Sequence, residues 1–142
     1  MPLTSFAPNQ QAKSSEVNAN FEYLNGLIEN LQSDFDRGQK TVVSNTDGAT
    51  ITFDLSENSV HTVTLGGNRI LALAGATTGQ VFIINLLQDG SGSKTVTWFS
   101  GIKWPDGVAP TLSTGANKYD SFGFICIGSG SYLGFIIGQN LS

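Results

Sequence analysis

The chain has 142 residues, of which seven are Lys or Arg and eleven are Asp or Glu, so its formal net charge is −4. Charged residues make up only 13% of it, about half the share found in ordinary soluble domains. The basic residues are scattered along the chain, which argues against a nucleic-acid partner because phosphate binding requires clustered Lys and Arg.

Residues 1–14 form the first predicted element, an extended N-terminal arm with two prolines and no helical period. The segment lacks the basic and apolar regions of a secretory signal, so we expect none. Leu3 and Phe6 are its apolar residues. Two interpretations are open: a disordered terminus, or a docking arm that becomes ordered on a partner, with Leu3 and Phe6 as the attachment residues.

Residues 15–38 are predicted to form a coiled-coil helix. Large apolar residues recur there at alternating spacings of 4 and 3, which is the heptad repeat of helices that wind around one another. Leu27 lies beside this stripe and widens it. The predicted interface between copies consists of Val17, Phe21, Leu24, Leu27, Ile28, Leu31 and Phe35.

Three copies are favoured over two because the stripe is wide and its inner layers include Phe21 and Phe35. The flanking polar positions are mostly amides, so salt bridges do not specify the pairing. The alternative is an amphipathic helix that packs on the sheet of its own chain, since a straight helix with a period of about 3.6 would present a similar stripe.

Residues 39–142 change to a period of two and are predicted to be β-structure. Ile51, Phe53 and Leu55 share one face of the first strand, and residues 81–88 are apolar on both faces, as in a central or doubly covered strand. We expect about eight strands, joined by short turns, in an antiparallel β-sandwich or barrel-like domain. The predicted strands are 49–56, 60–65, 69–75, 81–88, 95–100, 111–114, 120–129 and 131–140.

No catalytic, metal or cofactor site is expected in this domain. His61, the single histidine, is in phase with Val63, and Cys126, the single cysteine, lies in an apolar run. Both patterns are typical of core residues, and one cysteine excludes an internal disulfide. A glycosidase would need two carboxylates facing one groove, whereas the carboxylates here fall in turns or on outward faces, where they are common for conformational reasons. These carboxylates are Asp54, Glu57, Asp89, Asp106 and Asp120.

Aromatic residues in or beside the last loops are candidate glycan or receptor contacts, because sugar rings stack on exposed aromatic faces. The candidates are Trp104, Tyr119 and Tyr132, of which Trp104, followed by a proline, is predicted to be the best exposed. Trp98 is predicted to lie in the core. The alternative for each candidate is packing within the body or between subunits.

Residues 81–128 contain VFIINLLQDGSGSKTVTWFSGIKWPDGVAPTLSTGANKYDSFGFICIG, which resembles a β-module that recurs in bacteriophage structural proteins. The preceding ITFDLSENSVHTVTLGGNRILALAGATTGQ is similar to the front half of that module, so the resemblance covers residues 49–138. The N-terminal FAPN and SSEVNANFEYLN are similar to the start of phage fibre proteins. The family comprises tail fibres, spikes and capsid-attached fibres or decorations, and the module carries no catalytic site.

The resemblance implies a non-enzymatic phage virion protein, a short homotrimeric fibre or decoration that is made in the host cytoplasm and then joins the virion. Its expected partners are two further copies and phage capsid or tail proteins, with no nucleic acid and no membrane insertion. The longest apolar run, residues 81–84, is too short to span a bilayer. The alternative function is a host receptor- or glycan-binding module at a tail-fibre tip.

Overall fold

The computed structural model describes residues 3, 5, 8, 11, 13–38, 41–56 and 58–142, with helix side chains described as far as Ser33. The chain divides into two units, Met1–Gln39 and Lys40–Ser142. The first unit contains the helix and the second contains the strands. The fold is therefore mainly β with one described helix, as the sequence predicts.

Helix α1 spans Ser14–Gly38. Its first turn is closed by the carbonyl of Lys13, which accepts the N–H groups of Glu16 and Val17 at 3.0 and 3.1 Å. The Glu16 carboxylate in turn accepts the N–H of Lys13 at 3.4 Å. This reciprocal arrangement satisfies backbone donors that the start of a helix leaves open, and it fixes where the helix begins.

The β unit contains nine strands and one short 3-10 turn within residues 41–56 and 58–142. The strands are β1 Val42–Ser44, β2 Thr50–Asp54, β3 Val60–Leu65, β4 Arg69–Ala74, β5 Val81–Gln88, β6 Val96–Thr97, β7 Ile102–Lys103, β8 Tyr119–Gly128 and β9 Ser131–Leu141. The 3-10 turn is Pro105–Gly107. In this described part, a larger sheet of six strands has the order β1-β3-β5-β8-β9-β7, and a smaller sheet of three has the order β2-β4-β6.

The prediction of an antiparallel domain is wrong for the first part of the body. Strands β1, β3 and β5 pair in parallel, and so do β2, β4 and β6. Only the β5–β8 and β8–β9 pairs are antiparallel among the described strands. The reason is that the chain from β1 to β7 changes sheet at every connection. Short turns therefore connect a strand of one sheet to a strand of the other. Two parallel neighbours in one sheet are joined by a connection that includes a strand of the other sheet.

Alternation along the strands produces a single buried cluster that takes side chains from both sheets. In β2, Ile51 and Phe53 are buried whereas Thr50 and Asp54 are exposed, as the period of two predicts. Phe82 of β5 and Phe124 of β8 are directly paired and stack in the cluster with ring centroids 5.0 Å apart. The larger sheet thus contributes most of the aromatic core.

The predicted segment 111–114 does not form a strand. Its backbone is held by side chains instead of by a neighbouring strand: Asp120 accepts the N–H of Ser113 at 2.7 Å, and Gln139 donates to the carbonyl of Thr111 at 2.8 Å. The predicted strand 95–100 is shortened to β6, and β3 and β5 have the predicted bounds.

Uncharged amide side chains close the corners of the body. Gln80 donates to the carbonyl of Leu55 at 2.8 Å. Gln88 donates to the carbonyl of Lys94 and accepts its N–H, both at 2.8 Å. Backbone groups at a corner have no strand partner and need one from elsewhere, so the low charge and high amide content of the sequence serve the fold directly.

Candidate functional site

The helix seam is the name used here for the predicted interface residues Val17, Phe21, Leu24, Leu27, Ile28, Leu31 and Phe35. Within it, Phe21 is 61% exposed, Ile28 57% and Leu31 69%, and Leu24 and Leu27 are also exposed. Val17 is half-buried, and the side chain of Phe35 lies outside the described residues. The part of the stripe from Phe21 to Leu31 is therefore accessible.

Burying the helix seam would supply a substantial driving force. Fully burying a Leu, Ile or Phe side chain stabilises by about 1.5–3 kcal/mol, so five side chains that are roughly half exposed represent roughly 4–7 kcal/mol per chain. Association costs several kcal/mol in lost freedom. The burial of the helix seams of several chains against one another can offset that cost. The heptad spacing allows the helices to pack in this way as a coiled coil.

The N-terminal arm is described only in part. Leu3 is 48% exposed, whereas Phe6 lies outside the described residues. The attachment role of the two residues stays a prediction.

The candidate glycan contacts do not form an exposed platform. Tyr132 is only 8% exposed, so its prediction as a surface contact is wrong: it lies in the core, with its ring edge-on to Phe82 at 6.0 Å, and burial raises the pKa of its phenol. Trp104 is half-buried and packs against Trp98 with ring centroids 5.2 Å apart. Tyr119 is half-buried at the start of β8. The rings of Trp104 and Tyr132 belong to one aromatic core, which explains why the sequence concentrates them near the last strands.

A mainly polar recess of about 300 Å³ opens beside β1, β2 and β3. His61 lies in its wall and is 1% exposed. Its Nδ1 is 2.9 Å from Oδ1 of Asn45, and its Nε2 is 3.3 Å from the carbonyl oxygen of Asn58. Burial lowers the pKa of His61, although the Asn58 carbonyl and nearby Asp54 act in the opposite direction. The imidazole therefore serves as a buried structural group, as its phase with Val63 predicts.

Three of the described carboxylates of the body are occupied by local contacts. The carboxylate of Asp89 accepts the hydroxyl of Ser91 at 2.7 Å, and Asp54 accepts that of Ser56 at 2.6 Å. These hydrogen bonds lower the pKa of each carboxyl. Asp120 is 2% exposed and accepts the hydroxyl of Ser113 at 2.7 Å.

Asp47 makes the shortest ion pair of the described body. Its two oxygens lie 2.8 and 2.6 Å from Nε and Nη2 of Arg69. The guanidinium holds the pKa of Asp47 below its usual value. The pair ties the turn before β2 to the start of β4, so its role is to fix one corner against the next.

Within the described residues, no cluster of three or more His, Cys, Asp or Glu side chains has the arrangement of a metal site. Cys126 is buried and free, as predicted. In the same part of the chain, no helix combines the length and the apolar character needed to cross a membrane.

The chain was compared with protein-family models, with curated proteins and with solved structures. None of them matches.

Sequence reasoning overlooked one group of exposed apolar side chains. Val81, Leu133 and Phe135 are 47%, 40% and 39% exposed on strands whose other face lies in the core. The signal was present in residues 81–88, which are apolar on both faces and are typical of a strand that is covered on both sides.

Proposed function

We propose that this chain is a non-enzymatic structural protein of a bacteriophage virion, a short homotrimeric fibre or decoration mounted on the capsid or tail. In this proposal α1 joins three chains as a coiled coil, the N-terminal arm attaches them to the particle, and the β units project outward. The observation that carries the proposal is the helix seam, whose heptad spacing coincides with exposed side chains.

The virion assignment is supported by the resemblance of residues 49–138 to a phage β-module. The chemistry of the body is consistent with an architectural role. Its turns are closed by amide and carboxylate side chains that contact backbone, as in the Gln80 and Asp89 hydrogen bonds. Such contacts stiffen corners and leave few charged groups to oppose close packing of neighbouring proteins on a particle.

Attachment through three arms would work by multivalency. Each arm offers only a short segment, and Leu3 is its one apolar residue with a described position. A single contact of this size would be weak. Once one arm is docked, the other two experience a high effective concentration of neighbouring sites, so three weak contacts act as one strong attachment.

Glycan binding receives no specific support, since Tyr132 is buried and Trp104 packs on Trp98. The architectural role is therefore preferred. Its direct test is to localise the protein in purified phage particles by antibody labelling and electron microscopy. We expect labelling of the outer surface at regular positions. Particles that lack the protein altogether, although it is abundant in infected cells, would contradict the virion assignment.

A further inference from the structure

The larger sheet has an outer face, opposite the core, that carries a patch of apolar side chains at one end. The directions follow from the register. Phe82 and Phe124 are paired and fully buried, so the adjacent pair, Val81 and Ile125, points away from the core. Ile125 is paired in turn with Leu133 on the next strand. The outer sheet face is defined here by Val81, Ile125, Ile127, Leu133 and Phe135.

Exposure agrees with these directions at this end of the sheet, whereas the outward pair Asn85 and Ser121 further along is buried. Val81 is 47% exposed, Ile127 43% and Leu133 40%. Phe135 is 39% exposed, and its ring lies over Gly123 of β8 in the space that a side chain there would fill. The absence of a side chain at Gly123 thus makes room for the large ring on this face.

The face carries no charge. Among the described residues of β3, β5, β8 and β9, the outward positions hold none of the chain's Asp, Glu, Lys or Arg residues. Lys103 lies at the rim, on edge strand β7 beside Leu133. A surface of this kind creates no like-charge repulsion when it meets a copy of itself around a symmetry axis.

The smaller sheet provides the contrast. The outward side of β2 carries Thr50, Thr52 and Asp54, all of them exposed. Ile70 on β4 is paired with Thr50 and is 53% exposed, an isolated apolar residue on a polar face. The outward side of the smaller sheet is therefore mainly polar, whereas the outer sheet face is apolar. A single exposed apolar residue such as Ile70 is common on protein surfaces and does not indicate a partner.

The size of the outer sheet face indicates which kind of partner it fits. Three strands spaced about 4.8 Å apart, with about five residues each rising 3.3 Å, give a footprint of roughly 240 Å². A stable independent interface buries about 800 Å² on each partner. The face is thus too small to hold a free partner by itself, but it suits chains that a second contact already keeps together.

We infer that the outer sheet face is a second self-association surface, which packs against copies of this chain that the helix seam has gathered. This inference rests on the proposed homotrimer. It also accounts for the exposed start of β5: Val81 is exposed on the outward side, whereas Asn85 further along that side is buried within the chain.

The first test compares full-length variants by light scattering over a dilution series. Val81→Lys and Leu133→Lys should each raise the concentration at which the trimer dissociates by about tenfold or more, because each places a charge in an apolar contact. Ile70→Lys is the matched control, with a similar exposure on the polar side, and should leave the midpoint unchanged. A trimer whose midpoint does not respond to either sheet variant would overturn this inference and leave the proposed function intact.

The second test does not require the fold to tolerate a lysine on the outer sheet face. Because Cys126 is buried, thiols introduced by Val81→Cys and by Ile70→Cys can be compared with little background. In the assembled protein, the Val81→Cys thiol should react with a polar maleimide at least about tenfold more slowly than the Ile70→Cys thiol. Equal rates in a trimer would overturn the inference. A slow Val81→Cys thiol in a monomer would show that the chain itself covers this position and would also overturn the inference. A monomer with equal rates would refute the homotrimer as well.

Discussion

The ring of Phe135 lies over the backbone of Gly123 on the neighbouring strand, in the space that a Cβ atom at residue 123 would occupy. The two residues are direct partners across β8 and β9. The large side chain of Phe135 on β9 thus requires a residue without a side chain at position 123 on β8. This pairing places an aromatic ring on the outer sheet face across β8 and β9.

Gly123→Ala should therefore destabilise the protein. The added methyl group would displace the Phe135 ring, and overpacking of this kind costs about 1–3 kcal/mol. Gly128→Ala is the matched control on the same strand, since a Cβ at Gly128 meets no atom within 4 Å. Chemical denaturation should show a lower midpoint for Gly123→Ala only, and equal midpoints for the two variants would contradict the contact.

Stability should decrease as the pH falls below about 6.5 because of His61. Burial lowers the pKa of His61 from its usual value of 6.5 in the folded chain, so the unfolded chain takes up a proton first. The unfolded state is therefore increasingly favoured as the pH drops from 6.5 toward the pKa of His61 in the folded chain. The stability that the neutral imidazole contributes is fully present above pH 6.5.

The measurement is the free energy of unfolding at several pH values between about 7.5 and 5. His61 is the single histidine of the chain, so His61→Gln should remove most of the slope in this range while lowering stability throughout it. A wild-type protein with a flat profile, or a variant with the same slope, would show that the imidazole does not titrate as its burial implies.

Asp120→Asn should loosen the junction between the 111–114 segment and β9. The two oxygens of Asp120 accept the Ser113 N–H at 2.7 Å, the Ser113 hydroxyl at 2.7 Å and the Asn140 N–H at 2.9 Å. An amide offers one oxygen for these donors, so we expect a loss of about 1–3 kcal/mol. Asp106→Asn, an exposed position, should change stability by less than about 0.5 kcal/mol.

Substitutions in the N-terminal arm should affect attachment to the particle without changing the fold. Replacing Leu3 and Phe6 together by serine should abolish most binding of the protein to phage particles that lack it, because the arm would lose its apolar contacts. The trimer mass and the unfolding midpoint should stay the same. Undiminished binding by this double variant, measured by co-sedimentation with the particles, would place the attachment elsewhere in the chain.

The sequence predicted the individual elements better than their pairing. Alternation in β2 correctly identified Ile51 and Phe53 as core residues, because side-chain direction along a strand depends only on local geometry. The pairing depends on which sheet each turn leads to. Residues 66–68 join β3 to β4 in the other sheet, yet the same Gly-Gly-Asn sequence is equally typical of a hairpin.

The candidate site was predictable to a similar extent. The heptad spacing predicted the helix seam, and Phe21 and Leu31 are exposed, while their role as an interface between copies stays a prediction. Tyr132 was misjudged because a residue that follows a turn can point to either face, and only its pairing with Cys126 shows that it points inward. The outer sheet face was overlooked because apolar residues on both faces of β5 were read as burial alone.

The mass of the full-length protein in solution, measured by light scattering at micromolar concentration, tests the central claim most directly. We expect three times the chain mass of 15.0 kDa, with Ile28→Lys reducing it to that of one chain and Asn30→Lys, on the polar side of the same helix, leaving it unchanged. A wild-type mass of one chain, or a trimer that Ile28→Lys does not disturb, would contradict assembly through the helix seam.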